Sequence, residues 1–232
     1  MPAVADIHTL ADIPLFAGLG EARLAAVNEM LRRRIFSAGT NVISAETPGD
    51  VVYVILSGTV KIRVDQADGS EVIIAMLGPG EMVGELSVID SAGRSADVLT
   101  QEECVMLWLD RASFDQLIID EPVILRNLLR LLSRRIRLST EQIQALCTLD
   151  VYGKVARQLL VFASQYGLRT ADGVLIPMRL TQSDIAGLVG ASRERVNQVF
   201  VSLRRRKLLK VDTSYRVTIL DEDKLREIVR QR

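Results

Sequence analysis

The residues between positions 36 and 109 constrain the fold most, because short apolar runs alternate there with turn residues. The runs are rich in Val, Ile and Tyr and are separated by Gly, Pro and Asp, which is typical of short strands. Several such strands at close spacing predict an antiparallel sandwich or barrel. The predicted strands are residues 51–56, 60–64, 71–77 and 104–109, with a hairpin turn predicted at residues 67–70.

Helical patterns flank this region. Residues 9–33 carry apolar side chains at helical spacing and predict one helix. A longer helix is predicted over residues 121–147, where apolar residues recur three and four positions apart. This spacing gives an a/d seam of about three heptads, which favours a parallel pair of helices over packing on the same domain. The seam consists of Leu129, Leu132, Ile136, Ser139, Ile143 and Leu146.

Charge divides the chain into two halves. The 232 residues have a formal net charge of zero, but residues 150–232 hold 16 Lys and Arg against 9 Asp and Glu. Residues 1–149 hold 13 Lys and Arg against 20 Asp and Glu. The net charge is therefore −7 for residues 1–149 and +7 for residues 150–232. The asymmetry favours an acidic sensing half joined to a basic half that meets a polyanion. Uneven surface charge without a polyanion is the alternative.

Few side chains are available for a metal site or a catalytic triad. His8 is the only histidine, and Cys104 and Cys147 lie far apart without metal-ligand spacing. We expect both thiols to be reduced and buried, and no metal site. No apolar run approaches the roughly 20 residues that span a bilayer, and the N-terminus lacks the basic region of a signal peptide. A cytoplasmic protein without membrane contact is therefore expected.

Residues 181–205 have the pattern of two short helices joined by a turn. Thr181 opens a Thr-x-x-Asp capping box, Gly190 ends the first helix, and Ser192 can cap the second. The second helix has one apolar face and a polar N-terminal face, which is the form of a recognition helix in the major groove. An ordinary helical hairpin with solvated charges is the alternative. The predicted DNA-binding residues are Thr181, Gln182, Ser192, Arg193, Glu194, Asn197, Gln198 and Arg204.

A second group of residues has the chemistry of a nucleotide site. Gly84 allows close backbone approach, and the turn after it offers free N–H groups to an anion. Arg94 and Ser95 add a charge-assisted fork and a hydroxyl suited to a phosphate diester. Glu85 would repel phosphate but can accept a hydrogen bond from a ribose hydroxyl. Together these residues suit the ribose-phosphate of a cyclic nucleotide, whereas each pair alone often serves a turn or a surface ion pair.

Residues 84–96 resemble the phosphate-binding cassette of the cyclic-AMP receptor proteins in the Crp–Fnr superfamily. Residues 192–196 resemble the start of that family's recognition helix, and residues 134–141 resemble its dimer-helix segment near the adenine. The resemblance implies an α+β fold with an antiparallel, jelly-roll-like β-roll, a long dimerisation helix and a winged helix-turn-helix. The implied domains are residues 1–120, 121–149 and 150–232, in that order.

The resemblance also implies a function. We expect a homodimer that binds cyclic AMP as its allosteric effector and then a palindromic operator, activating or repressing transcription. RNA polymerase is an implied partner through a polar loop at residues 167–173, and haem or an Fe–S cluster is not expected. The ribose-phosphate is implied to contact Gly84, Glu85, Leu86, Ser87, Arg94 and Ser95, and the base is implied to contact Ser139 and Thr140, one of them from the partner subunit.

Two departures from the family pattern leave points open. Ser139 and Thr140 stand in the order Ser-Thr rather than Thr-Ser, so adenine is expected over guanine without being fixed. Gln198 stands where the family commonly has a basic residue, so the third specified base pair is open. The alternatives are a ligand-independent regulator and a cyclic-nucleotide-binding module without DNA binding. An enzyme is the least supported class, since no nucleophile–base pair is visible.

Overall fold

The structure is a computed structural model and describes residues 3–45, 47–66 and 71–230. Its described residues divide into two compact units. The first unit runs to Val64 and continues over Ala75–Leu138, and the second holds Asp65–Ile74 together with the chain from Ser139 onward. The hairpin turn predicted at residues 67–70 lies outside the described residues.

Strands rich in β-branched residues build two sheets in the N-terminal part of the chain. The strands are β1 (Arg32–Phe36), β2 (Asn41–Ile43), β3 (Val51–Ser57), β4 (Val60–Asp65), β5 (Glu71–Leu77), β6 (Met82–Val83), β7 (Asp97–Thr100) and β8 (Cys104–Asp110). One sheet has the order β1-β8-β3-β6 and the other β2-β7-β4-β5. The four strands predicted from the sequence are confirmed, each with its ends within one residue.

Helices occupy both ends of the chain and its middle. They are α1 (His8–Ala11), α2 (Glu21–Met30), α3 (Glu85–Asp90), α4 (Arg111–Asp120), α5 (Pro122–Thr148), α6 (Val151–Tyr166), α7 (Gln182–Val189), α8 (Arg193–Arg205) and α9 (Glu222–Arg230). A small sheet of order β11-β12-β10-β9 accompanies the C-terminal helices. Its strands are β9 (Leu168–Thr170), β10 (Gly173–Ile176), β11 (Leu209–Val211) and β12 (Val217–Ile219).

The first unit has two buried clusters. Phe16, Leu107 and Phe114 belong to a cluster in which the N-terminal helices and α5 pack on the β1-β8-β3-β6 sheet. The second cluster lies among the strands, where the rings of Phe36 and Tyr53 meet edge to face at 5.8 Å between centroids. The resulting antiparallel roll with helices packed on one side is the predicted N-terminal architecture.

Two predictions about local structure are wrong. Residues 9–33 do not form one helix: α1 and α2 are separated by turns, Gly18 has a φ of +85°, and the last residues belong to β1. A helix cannot continue through these turns, and pairing with β8 gives Arg32–Phe36 an extended backbone. The polar loop predicted at residues 167–173 is instead a short hairpin, in which Thr170 pairs with Gly173.

The long helix α5 exposes most of its predicted seam. Leu129, Ile136 and Ile143 are 57%, 68% and 63% exposed, whereas Leu132 packs against the first buried cluster. Ser139 is also exposed. The described residues therefore leave an apolar stripe along α5 exposed.

The cysteines differ from each other. Cys104 is buried as predicted, and burial raises the pKa of its thiol to about 11. Cys147 is exposed near the end of α5, so the prediction that both thiols are buried is wrong. Among the described residues, no helix is long and apolar enough to cross a membrane.

Candidate ligand site and nucleic-acid interface

The short helix α3 begins at a glycine that no other residue can replace without strain. Gly84 caps the helix with a φ of +84°, in the left-handed region. A Cβ at this position would lie 2.5 Å from Arg94 Nη1 and 2.7 Å from the Val51 carbonyl oxygen. Both the backbone conformation and the close neighbours therefore require glycine.

Arg94 reaches back to the start of α3. Its Nη1 donates to the Gly84 carbonyl oxygen and to Ser87 Oγ, each at 2.9 Å, and its Nη2 donates to the Val51 carbonyl oxygen at 2.9 Å. The Nε of Arg94 is buried and has no hydrogen-bond partner among the described residues. Since a buried unpaired donor is unfavourable, this N–H suits an acceptor such as a phosphate oxygen.

Glu85 lies at the N-terminal end of α3 and is 2% exposed. Arg135 on α5 donates to its Oε1 at 2.5 Å, and the same guanidinium contacts Glu81 Oε2 at 3.1 Å and the Met82 carbonyl oxygen. Burial raises the pKa of Glu85, and the charge of Arg135 opposes that shift. The carboxylate is thus held by a cation from the long helix.

The remaining predicted ligand residues differ in burial. Ser87 is buried and its hydroxyl donates to the Gly84 carbonyl oxygen at 3.2 Å, while Leu86 is 46% exposed. Ser95 is exposed in the loop before β7. Ser139 and Thr140 are exposed on α5 and belong to the second unit. The structure therefore gathers Gly84, Glu85, Ser87 and Arg94, with Ser95 next in the chain.

Sequence reasoning missed two members of this group, Glu81 and Arg135. Arg135 lies 50 residues from Glu85, and no local pattern relates them. The one signal in the sequence concerned Arg135, which lies within residues 134–141, the segment that resembles the family's dimer helix. The resemblance gave Arg135 no role.

The helix-turn-helix is built as its caps predict. Thr181 Oγ1 accepts from Asp184 N at 3.2 Å, and Asp184 Oδ2 accepts from Thr181 N at 3.1 Å, so the capping box is confirmed. Gly190 ends α7 with a φ of +60°. Ser192 Oγ accepts from Arg195 N at 3.3 Å and caps α8.

The two faces of α8 separate apolar from polar side chains. Its buried side consists of Val196, Val199, Phe200 and Leu203. Its exposed polar side chains make no hydrogen bond or ion pair within the part of the chain that the structure describes. They include Arg193, Glu194, Asn197, Gln198 and Arg204. The α7 cap Thr181 and the first α7 residue Gln182 are half-buried, and the α8 cap Ser192 is exposed. A helix that presents unpaired donors and acceptors from its first turns fits a major groove.

Comparison with known protein families agrees with this division of the chain. Residues 33–121 match the cyclic nucleotide-binding domain, and residues 153–228 match the Crp-like helix-turn-helix domain. The fold and the two candidate sites thus define a regulator that joins a nucleotide-binding domain to a DNA-binding one.

Individual relatives point to the same group. The CRP-like cAMP-activated global transcriptional regulator of Mycobacterium tuberculosis is 36% identical over 93% of this chain and 96% of its own. A Thermus thermophilus catabolite activator protein structure, 29% identical, covers 94% of this chain and 99% of its own with a TM-score of 0.53. CooA from Carboxydothermus hydrogenoformans shares the fold at 18% identity, a TM-score of 0.75 and coverages of 99% and 98%. The chain belongs to the Crp–Fnr family of transcription regulators.

Proposed function

We propose that the protein is a cyclic-AMP-responsive, sequence-specific DNA-binding regulator that acts as a homodimer. The observation that carries the proposal is the buried, unpaired Nε of Arg94 beside Gly84 and Glu85. A cyclic nucleotide offers a phosphate acceptor for this N–H and a ribose hydroxyl for the Glu85 carboxylate. The Mycobacterium tuberculosis relative, named as cAMP-activated, supports cyclic AMP as the effector.

In this proposal Gly84, Glu85, Leu86, Ser87, Arg94 and Ser95 bind the ribose-phosphate, and Ser139 and Thr140 bind the base. Residues 1–120 form the sensing domain, residues 121–149 the dimerisation helix, and residues 150–232 the DNA-binding domain. The exposed stripe of α5 supports dimerisation, because a parallel partner helix would bury it. The protein is proposed to act in the cytoplasm, where its operator DNA is. RNA polymerase is the proposed partner of residues 167–173.

The proposed mechanism couples the cassette to the recognition helices. Effector binding favours the dimer state in which the two copies of α8 are spaced to enter successive major grooves, about 34 Å apart. The effector can shift this equilibrium only by its difference in affinity for the two states. In α8, Arg193 is proposed to donate to guanine, and Glu194 to accept from cytosine.

A second candidate is a ligand-independent regulator of the same family. One observation favours it: Glu85 already has an ion-pair partner in Arg135, and both Nη atoms of Arg94 already donate to protein acceptors. A cassette with satisfied polar groups can serve as structure alone. The unpaired Nε of Arg94 favours the effector-dependent form.

Calorimetric titration of the full chain with cyclic AMP and cyclic GMP tests the sensor. We expect cyclic AMP to bind more tightly, and Arg94→Ala to weaken it about 100-fold or more, which corresponds to about 2.7 kcal/mol. Arg33→Ala, which removes an exposed arginine of β1, is the matched control and should bind like the wild type. If neither nucleotide binds, the ligand-independent form is the correct one.

A retardation assay with operators selected from random DNA tests the proposed DNA binding. Cyclic AMP should raise the affinity of the wild type, and log K should fall linearly with log salt as phosphate contacts release counterions. Arg193→Ala should lose about 1–3 kcal/mol of discrimination at one base pair. A chain that binds cyclic AMP but shows no selected operator is a regulatory module without DNA binding.

A further inference from the structure

A third arginine contacts α3 at the end opposite Glu85. Arg111 is the first residue of α4, and its guanidinium reaches the last turn of α3. Its Nη1 donates to the Val88 carbonyl oxygen at 2.8 Å and to Ser91 Oγ at 3.1 Å. Its Nη2 donates to the carbonyl oxygens of Ser87 at 2.8 Å and Gly49 at 3.0 Å. All four Nη hydrogens are therefore used.

Among these acceptors the Val88 carbonyl oxygen is one that the short helix leaves without a partner, whereas the Ser87 carbonyl oxygen also accepts from the Ser91 N–H at 3.1 Å. The last carbonyl groups of a helix have no partner within it, and a cation there is also favoured by the helix dipole. In α3 the chain turns away at Ser91, which has a φ of +57° in the left-handed region. Arg111 therefore stabilises the C-terminal end of α3 and ties it to the start of α4.

The same guanidinium fixes the loop that packs under the helix. Gly49 is buried, and a Cβ there would lie 2.3 Å from both Cβ and Oγ of Ser87. Arg111 holds this loop through the Gly49 carbonyl oxygen, through an ion pair with Asp50 at 3.7 Å, and through its own backbone N–H, which donates to the Asp50 carbonyl oxygen at 2.8 Å. The loop in turn presses on Ser87, whose Oγ accepts from Arg94.

We infer that Arg111 is a positioning residue for effector binding, one that holds α3 and Ser87 so that Arg94 and Glu85 are set before the ligand arrives. The inference rests on the proposed function and adds a residue that contacts no ligand. Lysine cannot replace this guanidinium, because its three N–H donors share a single nitrogen atom. They cannot reach four acceptors spread over two segments.

A positioning role has a kinetic signature. Without Arg111 the competent arrangement of α3 is populated less, and apparent affinity falls in proportion to that population. The association rate constant of the effector should therefore fall, while the dissociation rate constant of the complex, in which the ligand itself holds Arg94, stays near its wild-type value. Arg94→Ala removes a ligand contact and should instead raise the dissociation rate constant.

Stopped-flow binding of a fluorescent cyclic AMP analogue to the full chain measures both constants. For Arg111→Lys and Arg111→Met we expect association to slow about tenfold and dissociation to change less than about twofold, in line with the loss of several charge-assisted hydrogen bonds. Ser91→Gly keeps the left-handed cap and removes one acceptor, so a smaller slowing of about threefold is expected even if Arg111→Met fails to fold. Arg33→Met is the control.

Two results would overturn the inference. Unchanged association in folded Arg111→Lys would show that α3 is held without it, and faster dissociation, as in Arg94→Ala, would show that Arg111 acts on the bound ligand directly. If the wild type binds no cyclic nucleotide, the proposed function itself fails first, and the role of Arg111 in effector binding falls with it.

Discussion

Two glycines of the cassette allow the position of Arg94 to be tested by a pair of alanine substitutions. Gly84 and Gly93 have φ values of +84° and +86°, so an alanine at either position adds about 1 kcal/mol of left-handed strain. A Cβ at Gly93 has no neighbour within 4 Å, whereas a Cβ at Gly84 would lie 2.5 Å from Arg94 Nη1. The difference between the two variants therefore measures the displacement of Arg94 together with the close contacts of this Cβ with the Val51 carbonyl oxygen, at 2.7 Å, and Ile43 Cδ1, at 2.9 Å.

The magnitude of that difference follows from the contacts of Arg94. Its Nη1 must move away from the Gly84 carbonyl oxygen and Ser87 Oγ, and hydrogen bonds to charged groups contribute about 1.5–3 kcal/mol each. With about 1 kcal/mol of strain added, we expect Gly84→Ala to destabilise the native state by about 4–7 kcal/mol in total, against about 1 kcal/mol for Gly93→Ala. At about 2–4 °C per kcal/mol, the Tm should fall by about 15 °C and about 3 °C.

Scanning calorimetry gives the two Tm values, and titration with cyclic AMP gives the functional difference. Gly84→Ala should weaken cyclic AMP binding about 100-fold or more, while Gly93→Ala should stay within about threefold of the wild type. Equal Tm values together with equal affinities for the two variants would refute the reasoning, because the close contacts of a Cβ at Gly84, that with Arg94 included, would then have no consequence.

Three further predictions concern charge and assembly. Burial raises the pKa of the Glu85 carboxyl above 4.5, so the native state binds its proton more tightly than the unfolded chain does. The free energy of unfolding should therefore fall as the pH rises from about 4.5 through the raised pKa. Urea titrations at several pH values measure this dependence, which Glu85→Gln should weaken. Arg204→Gln should lower DNA affinity for all sequences alike and reduce the slope of log K against log salt by about 0.9, whereas Arg193→Gln should change operator preference, both read from retardation assays. Ile136→Glu should convert the proposed dimer to a monomer in light scattering, while Ile35→Glu, at a residue 58% exposed on β1, should leave the mass unchanged.

Local signals were sufficient for the helix-turn-helix. The Thr181 capping box, the left-handed Gly190 and the Ser192 cap each depend on residues within four positions of one another. The interactions that begin and end these two helices all form within a short segment, so the sequence predicts the helix boundaries closely. The same holds for strands such as β5, whose bounds agree with the prediction.

Long-range pairing explains what the sequence could not predict. Arg32–Phe36 continues a helical pattern but forms β1, because pairing with Cys104–Trp108 satisfies its backbone about 70 residues away. Arg111 contacts Gly49 across 62 residues, and Arg135 contacts Glu85 across 50. Sequence periodicity does not predict such distant partners. From the sequence alone, Arg111 and Arg135 cannot be distinguished from ordinary surface arginines.

The geometry of the cassette is set from outside the helix that carries it. The six residues of α3 are far fewer than the roughly 12–15 needed for an isolated helix, so its position depends on its neighbours. Three guanidinium groups from three elements supply that support: Arg94 from the loop before β7, Arg111 from α4 and Arg135 from α5. An effector hydroxyl that takes the Glu85 carboxylate would compete with Arg135, whereas a phosphate oxygen that accepts from the unpaired Nε of Arg94 would leave the Nη2 bond to the Val51 carbonyl oxygen in place. Under the proposed function, ligand binding at α3 would therefore have to alter an ion pair made by the long helix, and the strength of that competition would limit how far the effector shifts the protein toward a DNA-binding state.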